Sequence, residues 1–490
     1  MSRRVSMALL AVLLLPVSWY AAACTPADPD RQFLLDVAQA LGGQDRITAL
    51  KSMAVEGEGD APMLGQSTMP DSEQPNWKVT EYRRTTDFAN DRTDMQQVRT
   101  VQFLFAGPGM QRQHQILDGT VAFDLGADGM ARRAGAQQAR DRRTEMLQHP
   151  IAAVRAALAE GTTLSNRRSE GDNDLIDVKT SKGDVFTVAA SRSTHLPVSV
   201  TTRTSNDNLG DVAVVTTFAD YEDVSGLKMP KTVTTRVDKY MQLDLKISRN
   251  AVDVDPVPPA PDAVKAAAVP EPPAITVAVE PVTKGVWWLA GSGNHRSIVV
   301  EFDDHLLLFE VPLNEARSKA VIDAARALSP KPLTHAVVTH HHFDHSGGLR
   351  VAVAEGLTII TQRGSEAFFK DLLARPWTIE PDALARGPKE AKFEFVDDTL
   401  TLKDKSMELR LYHLLDNPRE GTNLFGYIPR DKLLLQADLY DNTWNQHLWG
   451  QNVLDNIKRR GLAVDRDIPV HGAMEPFAVM AQTIAAKPGR

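Results

Sequence analysis

The ten residues Thr339-His340-His341-His342-Phe343-Asp344-His345-Ser346-Gly347-Gly348 constrain this chain more than any other stretch. They place four of its thirteen histidines and one carboxylate within six residues. Just upstream, 334–339 (THAVVT) is a β-branched apolar run that reads as a buried strand, and Gly347-Gly348 close the loop that follows. Side chains alternate across extended backbone, so His340 and His342 share a face while His341 between them points away as a bystander. The loop lets Asp344 and His345 turn toward a second, neighbouring point. This is a layout for two metal sites built from imidazole and carboxylate. Nucleic acid is excluded as a partner, because a net charge of -8 with interspersed signs offers no basic stripe.

Read as H-x-H-x-D-H, the stretch resembles the metal-binding signature of the metallo-β-lactamase superfamily. The resemblance implies an αββα sandwich, and the pattern of the last 215 residues (276–490) agrees with it. Strands are expected at Val286 to Leu289, Ser297 to Phe302 and His305 to Val311, with Gly291-Ser292-Gly293-Asn294 as the turn of the first hairpin. A helix from Glu315 to Leu328 leads into the motif strand. After a second strand (Leu357 to Thr361) and a helix from Ser365, strands return at Lys392 to Val396, Thr399 to Leu402, Leu409 to Leu414, Leu424 to Ile428 and Leu433 to Gln436.

The family pattern carries over to later strand ends. Asp438 closes the apolar run Lys432 to Ala437 and matches the metal-bridging aspartate; His471, in Asp467-Ile468-Pro469-Val470-His471-Gly472, matches the last histidine. One position departs. Arg419 stands in the loop Leu415 to Thr422 where related sequences carry a third histidine, and a guanidinium does not bind metal. The first site then keeps His340, His342 and Asp438, and the second keeps Asp344, His345, Asp438 and His471. His413 and Glu420 are alternative ligands for the depleted site. The resemblance implies zinc, one ion or two, with iron as the other possibility, and a small-molecule substrate attacked at a carbonyl or phosphoryl centre by water activated at the metal. Asp344 would orient that water besides ligating. Arg419 could bind an anionic substrate group, and Trp444 and His447, with Trp449, could contact substrate from the segment Tyr440 to Gly450 or pack as a lid.

Residues 1–24 read as an export signal: Arg3 and Arg4, an apolar run from Met7 to Val17, then Ala21-Ala22-Ala23 before Cys24. Eleven apolar residues interrupted by Pro16 are too few to span a bilayer. The site resembles a bacterial lipobox with the chain's only cysteine, Cys24, as the lipidated residue; ordinary cleavage after Ala23 is the alternative. Either way the expected location is the periplasmic side of a bacterial membrane. Residues 31–255 read as a β-rich domain, a curved sheet with a helix (Phe33 to Leu41) and a helical patch (Ile151 to Ala159). Around His195-Leu196-Pro197, Gly210-Asp211 and Tyr221 to Pro230 it is similar to lipoprotein-carrier domains of the LolA/LolB type, which implies an apolar ligand. Residues 256–275, rich in Pro and Ala, read as an extended linker that builds no core. The chain is therefore expected to be α+β with two domains.

Three readings of function follow: a metal-dependent hydrolase of an ester, amide or lactone; an iron oxidoreductase of the persulfide-dioxygenase kind; or a silent lipid-binding scaffold. For the leader, labelled palmitate should appear on the wild-type chain and vanish in Cys24→Ser, read by fluorography of the membrane fraction. An unprocessed N-terminus in the cytoplasm would sink this expectation.

Overall fold

Strands that are nearly continuous apolar runs must be covered on both faces, and such strands form the centre of the C-terminal half. The computed structural model describes residues 28–103, 109–291 and 293–487. Cys24 and the leader lie outside them, as does Ser292 of the expected turn. In Leu306–Phe309 and Leu433–Gln436 every residue is buried. Leu307 and Phe309 meet Leu433, Leu435, Leu409 and Ile468 between two sheets, whereas Leu306 and Leu308 face helix residues Val321, Ile322 and Ala325. On the other side Leu434, Phe425 and Tyr427 meet the helices Gly450–Arg459 and Phe477–Ala486 through Val453, Ile457, Met480 and Ile484. The layers are thus helix, sheet, sheet, helix, with seven strands in the first sheet and six in the second.

The motif strand Leu333–Val337 lies inside the seven-stranded sheet, parallel to both neighbours, Leu306–Phe309 and Thr358–Gln362. Leu433–Gln436 lies parallel to Arg466–Pro469 in the other sheet. The segments that follow the C-terminal ends of these strands converge, bringing His340, Asp438 and His471 together. The expected αββα order holds, with one addition: Val277–Thr283 precedes Val286–Gly291 and makes the first hairpin, so the Gly291 turn makes the second. Its mixed, mostly exposed residues carry no apolar period.

The N-terminal half is one antiparallel sheet of thirteen strands. Two meanders, Ser52–Pro62 to Ala131–Arg133 and Thr163–Glu170 to Tyr240–Val252, join where Ser52–Pro62 pairs with Tyr240–Val252. Three helices cover one face, the expected helix and helical patch together with Gln44–Ala49, which was not expected. Pro29–Leu41, Gln44–Ala49 and Pro150–Leu158 bury Leu34, Val37, Ile47, Ile151 and Val154 against Ile176, Val188, Val200 and Phe218. Several strands, such as Asn76–Asp87, are too polar to show in a search for apolar runs; neighbouring strands supply their pairing.

The linker expectation needs correction. Val257, Ala260 and Val264 are buried against Ile116 and Phe123, and Asp262–Ala266 is helical. Val257 N–H donates to Asp87 (3.1 Å) and Ala260 N–H to Asp118 (2.9 Å), so the segment is docked along the sheet. Nor do the two halves keep separate cores. Leu209, Val212, Val214, Val237 and Tyr240 join the core that holds Val321, Leu349 and Phe369. Arg375 pairs with Asp238, and Asp211 accepts hydrogen bonds from Thr378 and Ile379.

His149 caps Pro150–Leu158 by accepting from Ile151 N–H, and burial alone lowers its pKa from 6.5 to about 3. The folded chain therefore keeps this imidazole neutral while the unfolded chain protonates it below 6.5. Its contribution to stability is present above that value and is lost as pH falls toward 3. Between pH 7 and pH 5 the wild type should lose roughly 2 kcal/mol more than His149→Asn, which keeps the cap. Urea unfolding at the two pH values checks this; equal losses would exclude it.

Candidate metal centre

Beyond Val337 the chain leaves the strand, bends at His340 and His341, and then enters the short helix Phe343–Ser346. His340, His342 and His345 are fully buried. His340 Nε2 and His342 Nδ1 lie 2.9 Å apart, each 3.6 Å from Asp438 Oδ2. On the other carboxylate oxygen, Asp438 Oδ1 is 2.9 Å from His345 Nε2 and 3.0 Å from His471 Nε2. Asp344 Oδ2 stands 3.5 Å from His345 Nε2 and 4.0 Å from His471 Nε2. The six residues expected as ligands therefore form two groups that meet at Asp438, and within each group the donor atoms lie within 4.8 Å of one another.

Hydrogen-bond directions decide whether the second group fits a cation. His471 Nδ1 faces the Asn294 carbonyl at 2.5 Å and must donate to it, which leaves Nε2 a bare lone pair in the neutral ring. His345 Nδ1 donates to Glu310 Oε2 (3.2 Å), which aims its Nε2 at the same point. Two imidazole nitrogens 3.1 Å apart and a carboxylate oxygen thus converge with no donor among them unless a proton or a cation joins them. Nitrogen and oxygen donors with a partly exposed Asp344 suit a zinc-like ion.

Arg419 lies in the first group. It is buried, and its Nη2 is 3.2 Å from Asp438 Oδ2 and also donates to Gln66 Oε1. The guanidinium is thus turned onto the bridging carboxylate. Neither alternative ligand replaces it. Glu420 Oε1 is taken up by His341 Nδ1 (2.9 Å) and Thr422 Oγ1, and His413 Nε2 bonds the Gly421 carbonyl at 2.8 Å. His341, held in the bend, points away from the ligand groups: Nδ1 is taken by Glu420, and its other nitrogen meets Ser67 Oγ at 3.1 Å.

The segment after Asp438 is mainly packing. His447 is buried with its ring 4.7 Å from that of Tyr440, inside the core of the two C-terminal helices, and neither ring nitrogen has a partner among the described residues. Trp449 is buried at the start of Gly450–Arg459, and Trp444 is half-buried.

Four participants escaped sequence reasoning. His295 Nε2 is 3.5 Å from Asp344 Oδ2, with its ring 4.8 Å from that of His471. Glu310 orients His345 and also accepts from Thr339 N–H at 3.2 Å; a charged residue in the apolar run Leu306 to Val311 was a usable signal. Gln66 and Ser67 come from the N-terminal half. Gln66 Nε2 donates to Asp344 Oδ1 at 2.9 Å, and the Ser67 carbonyl accepts from His342 Nε2 at 2.8 Å. Glu310 and Asp438 both adopt left-handed backbone, with φ of 81° and 59°. Such conformations persist where surrounding structure holds them, often at functional sites.

The charges are set by the cluster itself. Burial works against the charged form of Asp438 and of Asp344, yet the positive field of His345 holds both well below the usual carboxylate range. Burial also opposes charge on His345, but Asp438, Asp344 and Glu310 outweigh it and raise that ring well above its usual value. His340, penalised by burial and by its neighbours His345 and His342, falls to about 3 and is neutral. Burial and then Arg419 lower His342.

Residues 290–414 match the family model of the metallo-beta-lactamase superfamily, and the C-terminal part of this chain is a metallo-β-lactamase-like domain. No curated protein matches the chain. Among solved structures, a metallo-beta-lactamase from Pontibacter korlensis is 15% identical with a TM-score of 0.35, covering 43% of this chain and 98% of its own. The metallo-beta-lactamase FIM-1 from Pseudomonas aeruginosa, in its mono-zinc form, is 18% identical with a TM-score of 0.35, covering 44% and 97%. A metallo-beta-lactamase from Hirschia baltica is 15% identical with a TM-score of 0.33, covering 44% and 99%.

Partners that orient a ligating imidazole typically contribute ~10- to 100-fold in metal affinity. Glu310→Gln keeps the shape but not the charge behind His345 and should weaken zinc binding by about tenfold on that scale. Competition with a chromogenic chelator reads this out, and unchanged affinity would exclude the orienting role.

Proposed function

We propose that this chain is a metal-dependent hydrolase with a single strong ion site, formed by Asp344, His345, Asp438 and His471. The observation that carries the reading is the placement of Arg419. Its guanidinium lies on Asp438 Oδ2, the oxygen that His340 and His342 face, so a fixed positive charge stands in the first group. A divalent ion in the second group would supply Lewis acidity, activating water and polarising the oxygen of the bond to be cleaved.

The chain's own residues prepare that chemistry. Asp438 divides its two oxygens between Arg419 and the second group, so its charge is balanced on both sides. Asp344 is the most exposed of the six ligand residues and lies nearest the solvent side, where a substrate would arrive. His295 stands beside it, with Nε2 3.5 Å from Asp344 Oδ2. Because Arg419 is engaged by Asp438 and Gln66, we assign it to balancing charge in the site in preference to capturing a substrate carboxylate. An ester, amide or lactone of a small molecule fits this reading. Export, with a lipid on Cys24 holding the enzyme at the periplasmic face of a membrane, is part of the same proposal, as is an apolar ligand for the N-terminal sheet.

Elemental analysis of the purified wild type should give about one zinc per chain. Arg419→His, which restores a third imidazole, should raise zinc toward two and increase ester or lactam turnover, whereas His471→Ala should lose the ion. Two tightly held zincs in the wild type would refute the single-site account. Metal uptake without turnover on any ester, lactone, lactam or thioester would favour the scaffold reading.

A further inference from the structure

We infer that the loop between strands Ser52–Pro62 and Asn76–Asp87 is a working part of the metal centre, with Gln66 as the residue that positions Asp344 and Arg419. The inference rests on reading the cluster as a metal site, and it adds that the N-terminal half completes that site.

The loop leaves the thirteen-stranded sheet at Pro62 and returns at Asn76, and its path between them runs over the ligand segment around Asp344 and the segment that carries Arg419. Gly65, at φ 78°, brings the backbone down onto Phe343, where a Cβ would lie 2.3 Å from the ring. Gln66 and Ser67 follow on Asp344, Arg419, His341 and His342. The Thr68 carbonyl then accepts from Gly421 N–H at 2.8 Å, and Met69 lies against Gly421, where a Cβ would meet its sulfur at 2.3 Å. The loop is also tied to its own half. Met63 N–H donates to the Pro75 carbonyl (2.8 Å), Gln66 N–H to Gln74 Oε1 (3.3 Å), and Tyr240 O–H to Asp71 (3.2 Å). It is a shaped bridge between the sheet and the centre.

The chemistry at position 66 is specific to an amide. Asp344 ionised can only accept, and Arg419 can only donate. A primary amide carries a donor and an acceptor on one rigid plane, so Gln66 can give Nε2–H to Asp344 Oδ1 while its Oε1 receives Arg419. Glutamate lacks the donor, lysine lacks the acceptor, and alanine lacks both. With Oδ1 tied down, Asp344 must present Oδ2 to His345 and His295, each 3.5 Å away. The same amide steadies the guanidinium against Asp438. One residue along, the Ser67 carbonyl takes the proton of His342 Nε2 and thereby directs Nδ1 into the first group. A loop that only filled the seam would have no reason to put its polar atoms on ligand residues.

The test uses the full chain and cobalt(II) alone as probe, titrated while the ligand-field absorption is followed. This reports the geometry at the ion independently of any turnover. Gln66→Ala should weaken cobalt binding about tenfold or more, as expected for loss of a group that orients ligands, and should alter the absorption envelope as Asp344 swings free. Gln66→Glu, of the same shape, should weaken binding too, which keeps the inference open to refutation if the alanine variant fails to fold. Met69→Ala, which trims the loop's packing on Gly421 without touching a ligand, should leave affinity within about twofold and the spectrum unchanged, below the orienting effect. Wild-type affinity and spectrum in both Gln66 variants, or an equal loss in Met69→Ala, would overturn the inference while leaving the metal reading intact. A wild type that takes up no cobalt would bring down both together. Binding that responds at Gln66 in a chain that hydrolyses nothing would support the inference and count only against the hydrolase.

Discussion

The buried carboxylate of Asp438 is the constraint on which the centre depends. A charged group removed from water is tolerated only when opposite charges and hydrogen bonds surround it, and both of its oxygens are so surrounded. Oδ1 faces His345 and His471; Oδ2 faces Arg419, His340 and His342. To reach this position the residue takes a left-handed backbone two residues past a fully buried strand. The two sheets can therefore be seen as the frame that brings three strand ends to one anion. Removing any of its cationic partners leaves charge uncompensated in a dry interior, where it costs far more than at a surface.

An arginine in such a place binds the two halves of the chain together. A guanidinium with five N–H groups cannot be buried on one carboxylate alone, and part of its remaining demand is met by Gln66 from the N-terminal half. That contact needs the halves in fixed register. The shared core around Leu209, Val212 and Tyr240, the Arg375–Asp238 pair and the hydrogen bonds of Asp211 to Thr378 and Ile379 provide it. The docked segment with Val257, Ala260 and Val264 adds to this rigidity, so a stretch rich in proline acts here as a clamp along the sheet.

What could be read in the sequence was local. His340, His342, Asp344 and His345 are near neighbours that follow one apolar strand, and the strand ends before Asp438 and His471 are legible as apolar runs that stop. Arg419 stood out because a motif position was filled by a residue unable to ligate. Glu310 could have been found, since a lone carboxylate closing an apolar strand demands a partner. Gln66 and Ser67 could not, because they lie more than 270 positions from their partners and belong to no periodic pattern. The polar strands of the N-terminal half were hidden for a related reason: their stability comes from neighbours in the sheet, and a one-dimensional pattern does not contain those neighbours.

The two ligand groups differ in how far they satisfy themselves, and the difference lies in hydrogen-bond directions. In the first group the Ser67 carbonyl fixes His342 with Nδ1 bare, but His340 Nε2–H can donate to it across 2.9 Å, and Arg419 covers the charge on Asp438 Oδ2. That group is closed without any ion. In the second, Asn294 and Glu310 both consume Nδ1 protons, so two Nε2 atoms and Asp438 Oδ1 face one another as acceptors. A single proton on His345 relieves this, which is why three carboxylates raise its affinity for one, and a divalent ion relieves it more completely by meeting all the lone pairs at once. Arg419 thus does more than withhold a ligand from the first group. It closes that group as an ion pair with Asp438, while the facing acceptors that call for a cation lie in the second group.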